Sequence, residues 1–234
     1  MDRREFTAVP LACIAAQLLG YQSSSWALGL DSLTNTQATQ GLKAALEKGA
    51  RSAVSLLGRP NGFLGNDKVR IPLPGYLEDV AKLLRNFGQG ARLDELVNAM
   101  NHAAEAAVPL ANDMLVGAVK SMSVQDAKNI LVGGDTSVTT FFADKTRTPL
   151  GEKFLPVVIK ATAKVNLAEK YNQVSAKAAG MGLLKGDEAS IERYVTGKAL
   201  DGLYFMIAEE EKKIGQNPLG SGSALLQKVF GALK

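Results

Sequence analysis

The 234-residue sequence is short of the residues on which chemistry is most easily built: it has one cysteine, Cys13, and one histidine, His102. A single thiol excludes an intramolecular disulfide and a cysteine-based metal cluster. A solitary imidazole excludes a multi-histidine zinc site, and no Gly-x-Ser-x-Gly elbow accompanies it to build a hydrolase triad. Aromatic residues make up only 6% of the chain, so Ala and Leu carry much of the apolar content. That balance favours helices over strands, which draw on Val, Ile, Thr and aromatics. No stretch approaches the roughly 20 uncharged apolar residues of a membrane span. Basic tracts are missing too. The 27 basic and 23 acidic residues are scattered along the chain and leave a net charge of +4, which argues against nucleic acid as a partner.

What is present begins with three zones at the N-terminus. Arg3 and Arg4 open the chain, an apolar stretch runs from Ala8 to Leu19, and small residues follow from Ser23 to Ala27. That order is a secretory signal cut near Ala27, so residues 1–27 are expected to be a signal peptide. The paired arginines and weak apolar zone, broken by Pro10 and Gln17, have the form of a twin-arginine leader; a general secretion signal is the alternative. Cys13 lies too early, with Pro10 three residues before it, for a lipoprotein cleavage site. The mature chain therefore carries no thiol, and its expected place is the periplasm. Its stability must come from core packing.

Residues 28–234 read as a single all-helical domain, an irregular bundle with one long loop rich in Pro and Gly. Leu42, Leu46, Ala53 and Leu57 recur near helical spacing, predicting a first helix over 36–57. Gly58 to Gly75 is the longest loop signal, with Val69 to Pro74 expected to be extended, since residues before proline leave the α region. Helices are predicted over 76–87 and 92–120, the second kinked at Pro109. Ser123 and Asp126 form a capping box for a short helix that Gly133 and Gly134 end. Asp135 or Thr136 opens another short helix, and Thr148-Pro149 starts a longer one reaching about Ala179. The last long helix spans 187–214, and Ser221 to Leu233 forms a short amphipathic tail.

Two groups of polar residues stand out. Asn98, Asn101, Glu105 and Asn112 fall along one flank of the helix over 92–120, either lining a groove near Pro109 or forming a solvated face. His102 lies one turn before Glu105, and two such groups are too few for a metal. Asp201 is the one charge between Ala199 and Ala208, where the helix is apolar nearly all round. Such a carboxylate is expected to be buried and paired, with Lys198, Arg59 or Arg70 in reach. A structural pairing that pins the loop is the preferred reading; a perturbed carboxylate at a pocket is the other. Glu209 to Lys213 is an ordinary solvated helix end, and Gly133 to Thr136 lacks the lysine and spacing of a phosphate loop.

Several of these segments together resemble a bacterial family of unknown function, DUF4197. The likeness rests on Ala53 to Pro60 with Gly62-Phe63-Leu64, on Val69 to Pro74, and on Met100-Asn101 with Ala103 to Ala107. It continues through Ile130-Leu131 with Gly133 to Asp135, and is strongest over Lys198 to Tyr204 and Met206 to Lys212. The resemblance spans nearly all of the mature chain. It implies an exported helical protein and carries over no activity.

Three functional classes follow. The leading one is an envelope protein acting through protein–protein contacts, which needs no reaction signature. The second is a carrier enclosing a lipid or other apolar small molecule, suggested by the internal prolines and by a loop that could serve as a lid. The third is a carboxylate–arginine enzyme, which requires Arg59, Arg70, Glu105 and Asp201 to converge in one cleft. Candidate binding residues are Arg59, Arg70, Asn101, Glu105, Lys198 and Asp201; no catalytic residue, metal ligand or cofactor is expected.

Overall fold

A computed structural model describes residues 35–75, 81–82, 85–88, 90–134, 136–165, 168–172 and 190–216. The expected leader, the amphipathic tail, the connector over 180–186 and positions 173–179 of the helix predicted to reach Ala179 lie outside the described residues. Among those residues the chain is all-α, with no strand. Helix α1 spans Asn35–Leu57, α2 Gly90–Ala107, α3 Asn112–Lys120, α4 Val124–Val132, α5 Ser137–Thr162 and α6 Ile191–Gln216. Of the helix expected over 76–87, the described positions 81–82 and 85–86 are helical.

Helix α6 is the axis of the bundle, packed against α1, α2 and α5. That position explains its run of apolar residues: Ala199, Leu200, Leu203, Tyr204, Met206 and Ile207 are all buried. Because partners cover it on several sides, it has no single apolar stripe. Leu42, Leu46 and Leu57 of α1, Leu96 and Met100 of α2, and Phe142, Leu150 and Phe154 of α5 complete the core.

The prolines act differently in two places. At Pro109 the helix expected over 92–120 divides into α2, a 3-10 turn at Val108–Ala111, and α3. Pro109 occupies the first turn of that short piece, where its missing N–H is tolerated. At Pro149 and Pro156 there is no break: α5 runs through both, so the short helix and the long one predicted to start at Thr148 are one element. Buried Phe142, Thr146, Leu150, Phe154 and Val158 recur every four residues along it. Tertiary packing of that stripe outweighs the local cost of two prolines. The helix stops at Thr162, well before Ala179, and Ala163 and Val165 donate their N–H groups to Ile159 and Thr162 in closing turns. Ser123 and Asp126 form the expected capping box of α4. Farther on, the Asn172 side chain accepts the Ile191 N–H at the start of α6 and donates to Glu192.

Candidate functional site

The loop over 58–75 lies across α2 and α6, and both helices reach into it. Its first turn needs two glycines. A Cβ at Gly62 would stand 2.3 Å from the Leu57 carbonyl oxygen, and one at Gly58 would stand 2.9 Å from Pro109 Cγ. Between them Asn61 takes a left-handed φ of 61°, which asparagine tolerates better than most residues. The turn aims three backbone N–H groups at one carboxylate. Phe63 and Leu64 donate to Glu105 Oε1 at 3.0 and 3.1 Å, and Asn61 donates to Oε2 at 3.2 Å. His102 Nδ1 lies 2.8 Å from Oε2, closing the set from the solvent side.

Glu105 is buried, so its ionised form survives only through these partners. Burial pushes its pKa up; the His102 hydrogen bond, the Leu64 and Phe63 amides and the His102 charge pull it down, and the net result lies below the ordinary carboxylate value. One helical turn earlier, Asn101 is buried with its whole amide engaged. Its Oδ1 accepts from Ile71 N–H at 2.9 Å, and its Nδ2 donates to the carbonyls of Ile71 at 2.9 Å and Val97 at 2.8 Å. Asn101 and Glu105 thus hold the loop backbone at two points from one face of α2.

Helix α6 holds the other side. Phe63 and Val69 pack over Gly202, where a Cβ would come within 2.8 Å of Phe63 Cε1. Tyr194 donates its hydroxyl to the Pro72 carbonyl at 3.1 Å, and Lys68 meets Glu209 at 2.6 Å. The Lys198 ammonium stands over the Tyr194 ring, 5.9 Å from its centroid.

The six candidates therefore divide. Asn101 and Glu105 are the clamp, and Lys198 reaches the loop only by way of Tyr194, whose hydroxyl holds the Pro72 carbonyl. Arg59 and Arg70 are exposed on the loop and make no ion pair among the described residues. Asp201 departs from expectation: its side chain is 52% exposed, and its partner is Arg147 of α5 at 2.8 Å, neither Lys198 nor a loop arginine. The apolar surround is real, but Gly202 faces the loop, which leaves its neighbour Asp201 on the outer side of α6. A pair this exposed contributes at most about 1 kcal/mol. The loop is pinned by Gly202 and Tyr194, which the charge pattern did not reveal; a glycine inside an apolar helix was the available signal, since it marks close approach. Of the polar flank, Asn98 is exposed, and Asn112 bonds to Asp113 instead of the loop. Among the described residues no group of three or more His, Cys, Asp or Glu could hold a metal ion.

A family model described as protein of unknown function (DUF4197) matches residues 32–231, a span that contains every residue described above. No curated protein and no solved structure matches the chain.

Proposed function

From the premise that the chain belongs to the DUF4197 family, a family described without an activity, we propose that it is an exported envelope protein working through contacts with another protein, made by the clamped face of its loop. The observation that supports this reading is the use to which the buried polar groups are put. Glu105 and Asn101 spend their hydrogen bonds on loop backbone, which fixes the loop while Arg59 and Arg70 stay exposed and unpaired among the described residues. A binding loop ordered before it meets its partner does not lose that freedom on association. Two free guanidinium groups suit an acidic surface, since arginine pairs with carboxylates in bidentate fashion. The carrier reading gains less support: Phe63, Val69 and Ile71 beneath the loop are buried in the core cluster, and the loop covers packed side chains.

The test is site-specific photocrosslinking in the native host, with the reactive residue at position 59, 70 or 128, the last being an exposed control on α4. A discrete adduct from 59 and 70, absent from 128 and recovered with the periplasmic fraction, is the expected result. Adducts from all three positions, or from none, would overturn the proposal. Native mass spectrometry of the same preparation completes the comparison, because a retained apolar molecule would favour the carrier.

A further inference from the structure

A second feature lies away from the loop, along the seam of α5 and α6. Here Arg147, Thr148, Gly151 and Glu152 face Arg193 and Thr196 across an open trough of about 410 Å³. Three observations about it converge.

The first is Thr196. Buried Thr146 and Thr162 donate their hydroxyls to the carbonyls four residues back, Phe142 at 2.6 Å and Val158 at 2.9 Å. Thr196 does not, and its Oγ1 is the one buried side-chain polar atom without a partner among the described residues. A buried donor left unmade is costly, and threonine in a helix has a second accessible rotamer that can re-aim it. The second is Gly151, in the middle of a 26-residue helix, where glycine is less stable than alanine. Packing does not require it, because a Cβ there would meet only Leu200 Cδ1, at an ordinary 3.9 Å. What the missing side chain preserves is room in the trough. The third is charge. Arg193 forms no ion pair among the described residues, and Arg147 gives one N–H to Asp201 and keeps others free.

We infer that this trough binds a small hydroxylated oxyanion, such as a phosphate monoester. Arg193 and Arg147 meet the anionic oxygens, Thr148 and Thr196 donate hydroxyl protons, and Glu152, an acceptor only, takes a ligand hydroxyl. The same chemistry occurs in a free sugar or glycerol phosphate and in the headgroup of a glycerophospholipid. This site is independent of the loop face, so either proposal can fail without the other.

The intact protein, labelled with nitrogen-15, is titrated with glycerol 3-phosphate, and separately with vesicles of phosphatidylglycerol against phosphatidylcholine. Saturable shifts at the amides of Thr148, Gly151, Thr196 and Gly197 are expected with the free ester. If only phosphatidylglycerol vesicles bind, the ligand is the lipid headgroup. Arg193→Gln should weaken whichever binding is seen at least tenfold. Gly151→Ala and Thr196→Val should weaken it severalfold while leaving the ligand-free melting temperature equal or higher, which separates occlusion from misfolding. No saturable binding to either probe, or binding indifferent to R193Q and G151A, would overturn the site. So would a lower melting temperature in T196V, because the hydroxyl would then have a structural partner.

Discussion

Glu105 accepts three amide hydrogen bonds and faces His102, so the loop geometry depends on one ionised oxygen pair. Its folded pKa is depressed relative to the unfolded carboxylate, and the sign of the linkage follows from that. The stabilisation is fully present above the unfolded value, about 4.3, and is lost as pH falls through the lower folded value. Glu105→Gln keeps the size but replaces one acceptor oxygen with an NH₂ that faces donors. We expect it to cost about 2–4 kcal/mol at neutral pH and to flatten the acid limb of a plot of melting temperature against pH. An acid limb identical to that of the parent protein would show that the carboxylate is not the titrating group.

At the scale of helices, α5 makes a local prediction. Pro156 is exposed on a helix that continues past it, so its ring adds little to the core while the Glu152 carbonyl loses its N–H partner. Pro156→Ala should raise stability by about 1–2 kcal/mol, less than the full interior penalty because alanine also frees the unfolded chain. Chemical denaturation reads this directly, and a loss of stability would mean that the proline shapes the helix axis. The same helix marks where sequence reading succeeds and fails. Apolar periodicity located α1 and α6 within a few residues at each described end, and the capping box located the start of α4. The sequence also contains the stripe from Phe142 to Val158, yet Pro149 marks a boundary on local propensity alone, and the packing of that stripe overrides it. Asn101 and Glu105 stood out as polar residues on a helix flank, but their burial depended on a loop arriving from thirty to forty-odd residues earlier, and no spacing rule reports that. Asp201 is exposed, against expectation, for the converse reason. An apolar run shows that a helix is covered on most sides and leaves open which residue occupies the uncovered one.

Across the whole molecule, the loop behaves as part of the core. Phe63 and Ile71 are fully buried, Glu105 and Asn101 bind the loop backbone, and Gly202 supplies the notch that receives Phe63. Its amides should therefore open with the global transition, unlike those of ordinary surface loops. In hydrogen exchange, Phe63, Leu64 and Ile71 are expected to show protection comparable to that of α6. Gly202→Ala, which forces Cβ against the Phe63 ring, should bring their exchange forward together by at least tenfold. Fast exchange at these three amides in the parent protein would mean that the loop opens independently.

The segment from Arg70 to Pro74 bears on a hazard that helical proteins seldom face. An extended stretch on a protein surface is an edge that another chain can join by its backbone. Here several of the attachment points are already taken. Arg70 N–H is bound to the Asn66 carbonyl, both peptide groups of Ile71 are bound to Asn101, and the Pro72 carbonyl is bound to Tyr194. Pro72 and Pro74 have no N–H to offer. Of the N–H groups only that of Leu73 is left to a neighbouring strand, and the carbonyls of Ile71 and Pro72 interrupt the row of acceptors, so the segment offers no continuous edge for self-association.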